Sequence, residues 1–361
     1  MRIGFFSPTL NRIGGGEWVT LNMIHALKSR NYEVVVYSAE KVNSHHIKEF
    51  FGQPLDFTEV NFKPHFFDPY SLESIYPNIL RSLLLRFRCD LLVDTFSNDT
   101  LPWVNAVYFN GLPKSLRLPK SLKGNLFLPY KALVRDYLKV DRFRDRILMS
   151  CSKYNARIIE DYLELPVKVL YPPVSSFFRL QNIKNNPKDN TVVSVTRISE
   201  DKKPDTIVRI ARLTEKKIKF LIIGSCKLSY ERNVLTRLQR LIRKFKLEKR
   251  IKIALNIPRN KQKEILQQSK VYLHPFVQYE AFGVSVIEAM LAGCVPVVPN
   301  VAGLREVVPK KWRYSSAEEA AAMINELIEN WSEQKMKKSI KIAEKFNQER
   351  FCKEFLRIME L

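Results

Sequence analysis

Residues 271–298 read VYLHPFVQYEAFGVSVIEAMLAGCVPVV, and the order of residue types along them decides the fold. VYLHPF has the continuous apolar character of a strand buried on both faces. The loop after it carries Glu280, Gly283 starts a helix that carries Glu288, and Gly293 ends that helix just before a second apolar strand, VPVV. A strand, a helix and another strand in succession are the unit of a parallel sheet covered by helices.

The same alternation extends in both directions. After residue 190 the apolar runs TVVSVTR, KFLIIGS and RIKIAL precede this unit, each followed by a helical stretch. Upstream, IGFF at Ile3, EVVVYS at Glu33, DLLVDT at Asp90, NAVYF at Asn105 and RILMSC at Arg146 repeat the pattern. A chain of 361 residues exceeds what one core serves, at about 150 residues per domain, so two α/β domains are expected. YPPVSSFFRLQNIKNNPKDN, 171–190, is rich in Pro and Asn and keeps neither period, and it reads as their connection. The expected division is an N-terminal domain over 1–172, a linker over 173–190 and a C-terminal domain over 191–345. Residues 317–345 are expected as one helical segment, and 346–361 as a last helix packing back toward the N-terminal domain.

Lys and Arg number 60 against 37 Asp and Glu, a formal charge of +23, so the partners are expected to be anionic: nucleic acid, acidic lipid or phosphorylated substrates. No nucleic-acid recognition motif accompanies the charge, so nucleic acid is not expected among them. No apolar run reaches the roughly 18 residues of a membrane span, and MRIGFFSPTL enters a strand without the pattern of a leader, so the chain is expected inside the cell. Cys89, Cys151, Cys226, Cys294 and Cys352 are scattered and lack CxxC spacing, which suits a reducing compartment and implies neither a disulfide framework nor a zinc site.

Three segments carry candidate chemistry. In GGGEWVTLNMIHALKSRNYEV, from Gly14, glycines open a helix directly after a strand, where bare backbone amides favour an anion. An ordinary tight turn, with Glu17 complementing the helix dipole, accounts for the same residues equally well. In TRISEDKKP, from Thr196, Arg197 and Lys202 stand at and just beyond the carboxyl end of a strand, where ligands of open α/β sheets bind. Two fixed cations there can neutralise a leaving diphosphate; a solvated basic loop is the plain alternative. In the opening segment, Glu280 can accept hydrogen bonds from sugar hydroxyls and Glu288 from ribose, and the amides around Phe282 and Gly283 can hold phosphate. The two glutamates can also be read as a glycosidase acid and nucleophile, about 5 to 10 Å apart, or as unrelated surface acids.

All three segments, in this order and at this spacing, resemble the retaining GT-B glycosyltransferases of family 4 over nearly the whole chain. SCSKYNARII at Ser150, KVLYPPV at the linker and NVAGLREVV after Asn300 add to the resemblance. It implies two Rossmann-like doubly wound parallel-sheet domains facing a cleft, and metal-independent transfer of a sugar, with retained configuration, from a nucleotide-sugar donor. No metal or other cofactor is expected. By the same resemblance Arg197 and Lys202 stabilise the leaving group, Glu280 holds the donor sugar, Glu288 the ribose, Gly15 and Gly16 border the diphosphate and acceptor, and Gly303 lies in the last donor-site loop. The family's histidine in the N-terminal domain falls on Asn110 of VYFNGLP, which can hydrogen-bond but cannot supply an imidazolium. YPPV and the basic stretch after Asn110 most resemble mannosyltransferases that extend lipid-linked oligosaccharides. That narrower resemblance implies a GDP- or UDP-sugar donor, GDP-mannose among them, a lipid-linked glycan acceptor of the kind used in N-glycosylation, and a peripheral place on the cytoplasmic membrane face.

Residues 111–146 hold ten Lys or Arg against three acids, interleaved with leucines and broken by prolines and Gly124. This pattern suits an interfacial membrane contact through Lys114, Arg117, Lys120 and Lys123, each basic residue contributing about 1 kcal/mol near anionic lipid. Core packing by the same leucines is the alternative. A second basic cluster, RNVLTRLQRLIRKFKLEKR from Arg232, is expected to be a solvated helix face. Two other functions fit parts of the chain. A sugar-nucleotide epimerase on the same scaffold needs acid–base groups that form no obvious motif here. A basic, nonenzymatic nucleic-acid-binding protein predicts steeply salt-dependent binding and no donor-dependent product.

Overall fold

The computed structural model describes residues 1–12, 14–63, 67–69, 71–117, 128–140, 145–181, 188–226 and 229–361, with the backbone alone for 72, 117, 128, 131, 135, 136, 139 and 229. The chain forms two compact units, Met1–Pro173 with Gln348–Leu361, and Val174–Asn347.

The first unit contains strands β1 (Arg2–Phe6), β2 (Glu33–Tyr37), β3 (Thr58–Val60), β4 (Leu91–Asp94), β5 (Ala106–Phe109), β6 (Ile147–Ser150) and β7 (Lys168–Val169). They form one sheet in the order β3-β2-β1-β4-β5-β6-β7, every pair parallel. The second unit contains β8 (Asp189–Arg197), β9 (Lys219–Ser225), β10 (Ile251–Leu255), β11 (Ser269–Leu273), β12 (Val295–Pro299) and β13 (Arg313–Tyr314), in the order β10-β9-β8-β11-β12-β13 and again parallel. These are two doubly wound sheets. The ten strands expected from apolar runs are present; β3, β7 and β13 are two- or three-residue edge strands too short to show a period.

Strands buried on both faces explain the runs of β-branched residues. In β2 the four residues after Glu33 are buried, and Val192, Val193, Ile222, Val271 and Val295 are wholly inaccessible in the second unit. In both sheets the strand order reverses beside the first strand, between β1 and β4 and between β8 and β11. At such a switch point the connections leave in opposite directions and open a crevice at the carboxyl ends.

The expected linker does not run free. Val174 N donates to Phe346 O at 2.7 Å, Phe178 is buried, and Leu180 N donates to Leu291 O at 3.0 Å. Its apolar side chains find partners on the second unit, so that unit begins at 174 instead of 191; residues 182–187 lie outside the described set. The expected single helix over 317–345 is two, Ala317–Glu329 and Glu333–Ala343. Asn330 ends the first, and Ser332 caps the second by accepting from Lys335 N.

The last helix, Gln348–Met359, belongs to the first unit, where it packs on the Gly15–Lys28 helix. Phe351 and Phe355 stack with centroids 6.4 Å apart and are inaccessible, and Arg350 Nη2 donates to Tyr171 O at 2.8 Å. Phe355→Ala is expected to destabilise the first unit by about 3 to 5 kcal/mol. In calorimetry its transition moves to lower temperature while that of the second unit stays in place; a uniform shift of both counts against separate cores.

Candidate functional site

In the second unit, β8 runs into a single 3-10 turn, Glu200–Lys202, and the chain then passes through Lys203, in left-handed conformation, into the Asp205–Leu213 helix. Across the switch point β11 ends at Leu273, and the loop through Glu280 leads to the Val284–Leu291 helix. Thr206 ties the two loops, accepting from Phe276 N at 2.9 Å and donating to Lys203 O at 2.9 Å. Lys202 Nζ and Glu280 Oε2 thereby meet at 2.7 Å, with the two side chains 24% and 15% exposed.

His274 Nε2 lies 3.5 Å from the same Glu280 oxygen. The imidazole is buried, its Nδ1 3.4 Å from Tyr272 Oη, which also lies 3.0 Å from Ser285 Oγ. Burial acts to raise the Glu280 pKa, but the neighbouring His274 ring and the Lys202 charge outweigh it and hold the carboxyl at about 2. Glu280 is a fixed anion with a cation at contact distance.

Two glycines fit this loop to its neighbour. Gly303 N donates to Glu280 O at 3.0 Å, and a Cβ on Gly303 would lie 2.0 Å from Ala281 O, so no side chain is accommodated. Gly283 caps the helix with φ of 93°, in the left-handed region that glycine enters without strain. Phe282 turns its ring into the unit, edge-on to Phe346 at 5.2 Å, which leaves its backbone as the part able to meet a ligand.

Glu288 faces a different cation. It lies 3.7 Å from Arg259, whose guanidinium sits 4.9 Å from the centre of the Phe178 ring. Burial pushes the Glu288 carboxyl up to about 7, against the pull of Arg259. Arg197 stands apart from both pairs, half-exposed and bound to Asp201 at 3.1 Å. The structure therefore joins Lys202 to Glu280 and Gly303 to the Glu280 loop, and leaves Arg197 and Glu288 with other partners.

Sequence reasoning assigned no part to Arg259, Tyr272, Thr206 or His274. A histidine directly before proline at a strand end was the one available signal.

In the first unit the glycine segment forms a capped turn. Gly14 N donates to Glu17 Oε2 at 2.9 Å and Thr9 Oγ1 to Glu17 Oε1 at 2.7 Å, so Glu17 satisfies the N-cap amide while Gly14, without a side chain, returns no bond. Gly15 is exposed, and Gly16 lies beside Asn110, whose Nδ2 would be 3.4 Å from a Cβ there. Asn110 is held by Nδ2 donating to Thr95 O at 2.8 Å and by its backbone N donating to Asn98 Oδ1 at 2.7 Å.

In the basic segment the core-packing alternative holds for part of the apolar residues. Val134 and Leu138 are core residues with Leu133 and Tyr137 packed beside them, because the Leu128–Arg135 helix needs an inward face. Lys114 Nζ sits 4.5 Å over the Phe96 ring. The Arg117 side chain, Lys120 and Lys123 lie outside the described residues. The second basic cluster is the solvated helix face expected of it, with Leu238 and Ile242 inward and Arg232, Arg240 and Arg243 outward.

Residues 177–348 match the family described as Glycosyl transferases group 1. Among curated proteins, a Dictyostelium discoideum GDP-Man:Man(3)GlcNAc(2)-PP-Dol alpha-1,2-mannosyltransferase is 25% identical over 149 residues, 39% of this chain and 29% of that protein. The GPI3 subunit of a Saccharomyces cerevisiae phosphatidylinositol N-acetylglucosaminyltransferase is 33% identical over 73 residues, 20% of this chain and 16% of that protein. The chain thus spans less than a third of the length of either relative. Among solved structures, Anabaena Alr3699/HepE in complex with UDP and glucose has a TM-score of 0.74 at 15% identity, covering 100% of this chain and 99% of that one. WaaG, a glycosyltransferase involved in lipopolysaccharide biosynthesis, has a TM-score of 0.72 at 13% identity and 99% coverage of both. The fold is that of the GT-B glycosyltransferases, and the match to the group 1 family falls on 177–348, within the second unit and its junction with the last helix.

The two largely buried glutamates, each with 15% of its side chain exposed, set opposite dependences of stability on pH. Glu288, raised from 4.5, contributes stability that is complete below 4.5 and is lost as pH rises through about 7; Glu280, lowered, contributes stability present above 4.5 and lost as pH falls toward 2. Melting of the wild type is therefore expected to fall from about pH 5 to pH 8, by the equivalent of about 2 to 4 kcal/mol from Glu288. Glu288→Gln is expected to flatten that slope; a variant with the wild-type slope overturns the assignment.

Proposed function

We propose that the chain is a glycosyltransferase that binds a nucleotide sugar on its second unit and passes the sugar to an acceptor without a metal. The observation that carries the proposal is the Lys202–Glu280 contact of 2.7 Å at the carboxyl ends of β8 and β11, within the domain that matches the group 1 family. A lysine held beside an ionised carboxylate is a preorganised positive charge, and departure of a nucleoside diphosphate is the step that such a charge accelerates.

In this reading Lys202 takes the departing phosphates, joined by Arg197. Glu280 accepts hydrogen bonds from the donor sugar and Glu288 from the ribose. The backbone at Phe282, Gly283 and Gly303 borders the diphosphate. Gly15 and Gly16 of the first unit are its candidate contacts to diphosphate and acceptor, and Asn110 acts by hydrogen bonding. Retention of configuration, a GDP- or UDP-hexose donor such as GDP-mannose, and a lipid-linked glycan acceptor on the cytoplasmic membrane face complete the proposal. The Dictyostelium relative, named for GDP-mannose and a dolichol-linked acceptor, supports that choice of substrates. No helix among the described residues is long and apolar enough to cross a membrane.

Labelled nucleotide sugars incubated with membrane extracts are expected to yield a labelled, acceptor-dependent product, with the anomeric configuration read by NMR. Lys202→Ala and Arg197→Ala are each expected to lower turnover about 10² to 10³-fold with unchanged circular dichroism. Wild-type rates in both variants remove the two cations from the mechanism. Epimerised donor in the absence of acceptor replaces transfer by epimerisation.

A further inference from the structure

The Ile75–Arg86 helix of the first unit buries one face and carries large apolar side chains on the opposite, exposed one. Ile75, Ser82 and Leu85 point inward and are buried. On the outer side stand Tyr76, Leu80, Leu84 and Phe87, exposed by 43%, 57%, 39% and 78%. Their spacing of four, four and three residues lines them up as one stripe, and Phe87, the C-cap residue, still has helical backbone angles. A helix facing water needs polar residues there. A contiguous row of large apolar side chains marks a surface that is covered in use.

The charges around the stripe say what covers it. Residues 75–89, IYPNILRSLLLRFRC, hold three arginines and no acid. Arg88 is exposed beside the stripe, while Arg81 and Arg86 flank the helix half-buried, Arg81 donating to Asn78 Oδ1 at 3.5 Å and Arg86 to Cys89 O at 2.5 Å. A second copy of the chain, itself carrying +23, would bring like charges together at a symmetric contact. An acidic lipid surface accepts both parts, apolar side chains at the acyl boundary and guanidinium groups among the headgroups.

From this arrangement we infer that the Tyr76–Leu80–Leu84–Phe87 stripe is the membrane-docking face of the chain and that its partner is an anionic bilayer. This places the contact on the 75–87 helix, whereas sequence reading had put it on 111–146. The inference deepens the reading of a membrane-side acceptor, yet it concerns binding alone, so vesicle assays test it without donor or turnover.

The experiment uses flotation with phosphatidylcholine vesicles with and without phosphatidylserine. The wild type is expected to float with the acidic vesicles and to lose binding in high salt less completely than a purely electrostatic ligand, because the apolar stripe remains. Leu80→Ser combined with Leu84→Ser and Phe87→Ser is expected to weaken binding about tenfold or more, with melting unchanged because these side chains are exposed in the free chain. Arg81→Glu with Arg88→Glu is expected to remove the preference for acidic lipid. Phe87→Trp provides a readout that survives if the triple variant fails to fold: its emission shifts to the blue on adding acidic vesicles. Unchanged emission, or triple-variant binding equal to wild type, overturns the inference. A wild-type dimer in sedimentation that the triple variant abolishes overturns it in favour of a second copy.

Discussion

A carboxylate taken out of water has to be matched by a positive charge, and in the second unit that requirement fixes the geometry of two loops. Glu280 is 15% exposed and would be expensive to ionise alone. Lys202 at 2.7 Å and the buried His274 keep it ionised, and through it the segment after β8 is pinned to the segment after β11. Thr206 adds neutral hydrogen bonds to both loops, and Gly303 lets the 300–304 segment close against Ala281 O with no side chain between. The site is therefore built before any ligand arrives.

Much of this was legible in the sequence, and the reasons for the limits are physical. Parallel strands must be apolar on both faces, so EVVVY and KFLIIGS declared themselves by composition, whereas Arg313–Tyr314 is too short to have a pattern. Glu280, Lys202 and Glu288 were visible because glycines and strand ends bracket them. Arg259 was not, because nothing in the chain between it and Glu288 records that the two helices they stand on are neighbours. Composition also misjudged direction. In 133–138 Leu133, Val134 and Leu138 face the core, while in 75–87 leucines occupy both faces of one helix, and only the fold tells which row is outside.

The two glutamates differ in a way that bears on chemistry. One carboxyl held at about 2 and a second pushed up to about 7 is also the division of labour a glycosidase uses between its nucleophile and its acid. The neighbours argue against that use here. A nucleophilic carboxylate must be free to attack, and Glu280 is spanned by Lys202 at hydrogen-bond distance. Glu288 lies against Arg259, a cation that stabilises its ionised form and works against its service as a proton donor. Hydrogen-bond acceptance by Glu280 and a ribose contact by Glu288 ask neither group to change its covalent state.

The two cations proposed for the diphosphate stand in unequal conditions, and the difference sets an order of events. Lys202 is three-quarters buried and already in place, so its charge needs no reorganisation when phosphates approach. Arg197 is 54% exposed and engaged with Asp201 in a surface pair, a class of interaction worth about 0 to 1 kcal/mol. A diphosphate can draw Arg197 from Asp201 at little cost, whereas taking Lys202 away from Glu280 would strand a buried anion. Lys202 is thus suited to bridge, holding carboxylate and phosphate together, and Arg197 to swing in once the ligand is seated. In the proposed transfer, sugar hydroxyls at Glu280 would compensate the carboxylate for the share of lysine charge that the phosphates take, and so would couple recognition of the sugar to stabilisation of the leaving group.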